Sequence, residues 1–149
     1  MIVLLLVLHG LCALLLVGAL SHQALALWWP AERRSPGWWD ALRAVHPERY
    51  VGAVVVLFVV TLLLGGVVYA PFVAVARARF LDAHAPWAVG LFQVKEHAMA
   101  LALAMLPAYA AAWRHGATAG ERRALTTALT IIVWWGFLVG HVVNNARGL

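Results

Sequence analysis

Four long stretches of the chain are almost continuously apolar, and short segments rich in Arg, Pro and Gly separate them. They run from about Ile2 to Trp29, Tyr50 to Ala76, Trp87 to Trp113, and Ala124 to Ala146. Each has at least the roughly 20 residues that a helix needs to cross the hydrocarbon core of a bilayer. Trp28, Trp29, Tyr50, Trp87 and Trp113 stand at their ends, where amphipathic rings favour the headgroup layer. Trp134 and Trp135 fall in mid-helix and depart from that pattern. The pattern predicts an all-α, integral membrane four-helix bundle of up-down topology, a single transmembrane domain over residues 1–149.

The connections are short. The longest, Pro30 to Arg49, carries the breakers Pro30, Pro36, Gly37 and Pro47, with a short interfacial helix expected over Trp38 to Val45. Arg77 to Pro86 and Arg114 to Arg123 read as tight links, so no soluble domain fits between the spans. The first span ends in Ala24-Leu25-Ala26, a small-residue pattern like a signal-peptide cleavage site. It lacks a basic leader and its apolar run is too long for one, so it is expected to be retained.

Composition reinforces the class. Of 149 residues, 64% are hydrophobic and 11% charged, with a mean hydropathy of +0.86. A soluble domain carries about 25% charged residues. The lone cysteine, Cys12, excludes an internal disulfide and a cysteine-based metal cluster. The net charge of +5 comes from loop arginines without a basic helix or an RNA-binding motif, so no nucleic-acid partner is expected. Arg33, Arg34, Arg43, Arg49, Arg114, Arg122 and Arg123 fall on one side, against Arg77, Arg79 and Arg147 on the other. The richer side is expected to face the cytoplasm. Both termini then lie on the outer, periplasmic side of the plasma (inner) membrane.

Ionisable groups inside a bilayer are costly and point to function. The candidates are His9, His22, Lys95, Glu96, His97 and His141, with Tyr69 a weaker one. At 1.5 Å per residue, His9 lies roughly 12 Å below the outer end of its helix, His97 roughly 15 Å and His141 roughly 7 Å. Three histidines from three helices at similar depth suggest one shared site in the outer half, a metal or cofactor site of His9, His97 and His141. His22 lies about 20 Å deeper and reads as a packed or interfacial histidine. Lys95 and His97 point about 200° apart, so both cannot face one cavity.

Imidazole serves haem iron, copper and zinc. Small residues near the histidines (Gly10, Ala13, Ala100, Ala104, Gly140) suit a porphyrin slot. They suit ordinary close packing of membrane helices equally. Haem b, copper or another mononuclear metal, and interhelical hydrogen bonding without a cofactor all fit the pattern. Lys95 and Asn145 are the candidate partners for haem propionates. Glu96 would hold an imidazole tautomer or accept protons from a quinol.

In layout the chain resembles the small four-helix membrane proteins of the HemJ and CopD type. The likeness rests on His9 early in helix one, Gly18 further along it, Glu48-Arg49-Tyr50 at the entry to helix two, and Lys95 early in helix three. HemJ-type proteins are haem-binding protoporphyrinogen oxidases, and CopD-type proteins are linked to copper. The resemblance implies functional roles for His9 and Lys95. The tryptophan and arginine of the oxidase pattern further along helix one are missing here, and Lys-Glu-His and His141 are no part of it.

The leading expectation is therefore a small haem-b-binding membrane protein that transfers electrons or supports a redox complex. Its rivals are a non-catalytic accessory subunit packed against other membrane subunits, and a membrane enzyme acting with copper, a porphyrin or a quinol.

Overall fold

The computed structural model describes residues 1–30 and 37–146. Arg33, Arg34, Arg147 and the side chain of Arg43, on which the expected orientation partly rests, lie outside the described residues. The elements in chain order are α1 (Ile2–Trp28), α2 (Trp38–Arg43), a 3-10 turn (Pro47–Arg49), α3 (Tyr50–Pro71), a π-helical segment (Phe72–Leu81), α4 (Asp82–His84), α5 (Pro86–Arg114) and α6 (Ala119–Asn145). There is no strand among the described residues. Four helical runs are long and apolar enough to span a membrane. In the most apolar window of each of the first three, only 17% of residues are buried inside the bundle. The remaining apolar surface suits lipid as its solvent.

Two boundaries differ from the sequence expectation. The second span does not stop at Ala76. It continues beyond Pro71 as the π-helical segment and ends at His84, so Arg77 to Pro86 is mostly helix and not a link. Proline removes the N–H that would bond the carbonyl four residues back, and the chain goes on in the wider helical form. The run Pro47–His84 has 38 residues. At α-helical rise that is on the order of 55 Å, well beyond a hydrocarbon core of about 30 Å. Arg77, Arg79 and Asp82 lie on its far part, where Arg77 Nε donates to Asp82 Oδ1 over 3.3 Å.

The fourth helix begins at Ala119 and not at Ala124, because Thr118 caps it. The Thr118 hydroxyl accepts the Glu121 N–H at 3.2 Å, and the Glu121 carboxylate accepts the Thr118 N–H at 2.8 Å. This reciprocal pair satisfies two otherwise free donors of the helix start.

Around the bundle the order is α3, α1, α6, α5, with α3 and α5 meeting more sparsely to close the ring. Two packed cores stack along it. One, in the half away from the termini, includes Leu16, Leu20, Val54, Phe58, Leu106, Tyr109 and Leu129. The other, at the end carrying the termini, is built from Leu81, Ala85, Ala88, Val89, Val139 and Val143, without α1. Lipid tails are as apolar as leucine, so close packing and interhelical hydrogen bonds hold such a bundle together. Tyr109 on α5 donates its hydroxyl to Gln23 Oε1 on α1 at 2.6 Å, and Gln23 Nε2 donates to the Pro47 carbonyl at 2.9 Å. His22 Nδ1 donates to the Leu42 carbonyl at 2.7 Å, which seats α2 on α1.

Candidate functional site

Between the two cores lies a cavity of about 630 Å³, lined by all four long helices. That volume is in the range of small-molecule and cofactor pockets. Glycines make several of its walls: Gly10 on α1, Gly65 and Gly66 on α3, and Gly136 and Gly140 on α6. At Gly10, Gly66 and Gly140 nothing comes within 4 Å of the Cβ position, so the missing side chain leaves open space, whereas at Gly65 and Gly136 that place is filled by His9 and Met99.

His9 is the best-defined polar group of the site. Its ring faces α3, where Nδ1 lies 3.0 Å from the Thr61 carbonyl. A carbonyl oxygen only accepts, so Nδ1 carries the proton and the neutral ring keeps its lone pair on Nε2. Gly65, one turn beyond Thr61, makes room for the ring. A Cβ at Gly65 would stand 3.1 Å from His9 Cε1. The backbone hydrogen bond and the glycine together fix the tautomer and orientation, the arrangement that prepares a histidine as a metal ligand.

Lys95 and Glu96 also line the cavity. The Lys95 ammonium stands 4.4 Å from the centroid of the Phe92 ring. Phe92 in turn stacks on Phe72 of the π-helical segment at 4.5 Å and lies 6.2 Å from Tyr69. These rings bridge the sparse α3–α5 seam beside the cavity. Among the described residues neither Lys95 nor Glu96 has an ion-pair partner within 4 Å.

The expected residues divide. His9, Lys95 and His141 line the one cavity, whereas His97 and Asn145 do not. His97 is exposed on α5, and its Nδ1 donates to the Gln93 carbonyl of the preceding turn at 2.8 Å. The geometric cause is the run Lys95-Glu96-His97 itself, since successive helical residues turn by about 100°. Asn145 Nδ2 donates to His141 Nε2 at 3.0 Å, so it acts on the site through that imidazole. Among the described residues no three His, Cys, Asp or Glu side chains converge as a metal-binding group, and the expected shared site of His9, His97 and His141 is not formed. Sequence reasoning missed Thr61, whose contribution is a main-chain carbonyl. The one trace of it in the sequence is Gly65-Gly66, a pair of small residues that leaves room beside helix two.

No known protein family, no curated protein and no solved structure matches this chain.

Proposed function

We propose that the chain is a small multi-pass membrane protein that would bind haem b in this cavity, with His9 Nε2 as the residue that would hold its iron, and serves electron transfer or a redox complex. The observation that carries the reading is the His9 imidazole, oriented by the Thr61 carbonyl at 3.0 Å beside a glycine-walled cavity of about 630 Å³. The donor set favours haem over a bare metal. A copper or zinc centre held by protein alone needs three or more converging donors, and no such group exists among the described residues. Haem iron takes its four equatorial donors from the porphyrin and asks the protein for one or two imidazoles. His141, on the α6 wall, is the other imidazole of the cavity, but its Nε2 accepts from Asn145 and its Nδ1 then carries the proton, so it lines the cavity without a free ring nitrogen for iron.

The residues around it have matching tasks. Lys95 supplies a cation for a propionate, and the Phe92 ring holds that ammonium at the cavity until the pair forms. Asn145 fixes the His141 ring. The mostly apolar walls would lower the dielectric around a bound cofactor. The cofactor would supply one-electron chemistry. The layout resemblance to HemJ-type proteins accords with roles for His9 and Lys95, and the arginine bias accords with a plasma-membrane location and outward-facing termini.

The test is a reduced-minus-oxidised visible spectrum of the purified protein with metal analysis of the same sample. A b-type α-band with about one iron per chain, lost in His9→Ala, is the expected result. A flat spectrum without metal in the wild-type protein overturns the reading. An accessory-subunit role remains the rival reading, since the exposed apolar face of α1, Ile2, Val3 and Leu4 included, serves lipid and a partner helix alike. Co-purification of a stoichiometric partner after gentle solubilisation, without a chromophore, would establish it.

A further inference from the structure

The mid-helix Trp134 has a partner that the cavity does not use. Its indole N–H donates to Ser21 Oγ on α1 at 2.9 Å. Further along the same seam, Trp28 Nε1 donates to Thr127 Oγ1 on α6 at 2.8 Å. The two bonds are seven residues apart on each helix, about 10 Å along the axis. Both indoles spend their polar edge inside the seam and leave ring surface outside, Trp28 at 49% and Trp134 at 41% exposure.

At the head of the seam sits Arg123. Its guanidinium lies 5.4 Å from the Trp28 ring centroid, and its Nε donates to the Leu27 carbonyl at 3.1 Å. The terminal nitrogens have no carboxylate partner among the described residues. The neighbouring carboxylate, Glu121, is taken by Thr118. Around α6, Arg123, Thr127 and Trp134 fall within about 40° of one another, so they form one stripe beside α1. The stripe is cationic at headgroup level and aromatic below it.

We propose that the α1–α6 seam binds an anionic phospholipid, with Arg123 taking the phosphodiester and the Trp28 and Trp134 rings lying along an acyl chain. Charge complementarity selects an anionic headgroup, since the same end of the bundle also carries Arg49, Arg114 and Arg122. The depth of Trp134 selects a lipid over a soluble phosphate, because only an acyl chain reaches from Arg123 to that ring. None of Arg123, Trp28 and Trp134 lines the cavity; Trp134 meets its lining only edge-on, at the Phe137 ring.

Arg122 provides the internal comparison. It carries the same charge one residue away, yet leans the other way, 5.4 Å from the Trp113 ring of α5. The experiment uses the delipidated full-length protein in detergent, titrated with phosphatidylglycerol and separately with phosphatidylcholine, with bound lipid counted by native mass spectrometry. Wild-type protein retains phosphatidylglycerol in preference to phosphatidylcholine. Arg123→Gln weakens phosphatidylglycerol binding about fivefold, the worth of one interfacial cation, and Arg122→Gln leaves it unchanged. Trp134→Leu, which alters no charge, also weakens it. Equal retention of the two lipids by wild-type protein overturns the proposal. So does an equal loss in the two arginine variants, which would mean diffuse surface charge and no site.

Discussion

His9 on α1 and Thr61 on α3 are joined by a 3.0 Å hydrogen bond from imidazole Nδ1 to a main-chain carbonyl, and Gly65 stands one turn further on against the same ring. The ring is therefore held against two successive turns of α3. Gly65→Ala places a Cβ 3.1 Å from Cε1 and forces the imidazole to shift by a few tenths of an ångström. The expected result is a shifted or weakened chromophore in the purified protein. Gly66→Ala is the control, because a Cβ there meets nothing within 4 Å. Identical spectra for the two variants would remove His9 from the ligand set.

His97 and His9 should behave oppositely. His97 bonds to its own helix and does not line the cavity. His97→Ala is expected to keep wild-type cofactor content by spectrum and iron analysis. His141→Ala, on the cavity wall, is expected to alter the spectrum. A chromophore lost in His97→Ala and kept in His141→Ala would contradict this geometry.

Tyr109 is fully buried and bonds Gln23 at 2.6 Å. Tyr109→Phe leaves the Gln23 carbonyl oxygen without that donor in a dry place, at a cost of about 1–3 kcal/mol. Lower thermal stability in detergent is expected, without change in any cavity spectrum, since the pair lies in the other half of the bundle. Replacing Gln23 by Leu as well should recover part of the loss, because both partners are then apolar. A double variant less stable than Tyr109→Phe would show that Gln23 matters more through Pro47.

The start of α6 depends on Thr118. Thr118→Ala removes the acceptor for the Glu121 N–H and the hydroxyl bonded to Glu121. A loss of about 1 kcal/mol is typical for such a cap. Faster amide exchange over the first turn of α6, with the cavity unaffected, is the measurement that checks it.

The sequence by itself determined the class, the four spans and most of their ends. Twenty or more apolar residues in a row have one solution in a bilayer, because every backbone N–H and C=O must be satisfied within its own segment. Local signals were also sufficient for the approximate position of α2. The α6 start was legible in principle, as Thr118 and Glu121 have capping-box spacing. The apolar run beginning at Ala124 hid it.

Tertiary structure decided the rest. The expected span already crosses Pro71 but stops at Ala76, where the arginines begin; the helical run goes on to His84, with Ala76 and Leu81 buried along it. Depth along the chain put His9, His97 and His141 at one level, but depth says nothing about rotation. The rotation of each helix about its axis sends Lys95 and His141 to the cavity and His97 away from it. That rotation is set by side chains seated against glycines, His9 on Gly65 and Met99 on Gly136, and by hydrogen bonds such as His9 to Thr61. The acceptor in that bond is a carbonyl that every residue possesses, so no side-chain pattern could announce it. In the same way, Trp134 looked misplaced in its own helix until Ser21, 113 residues away, supplied the partner for its indole.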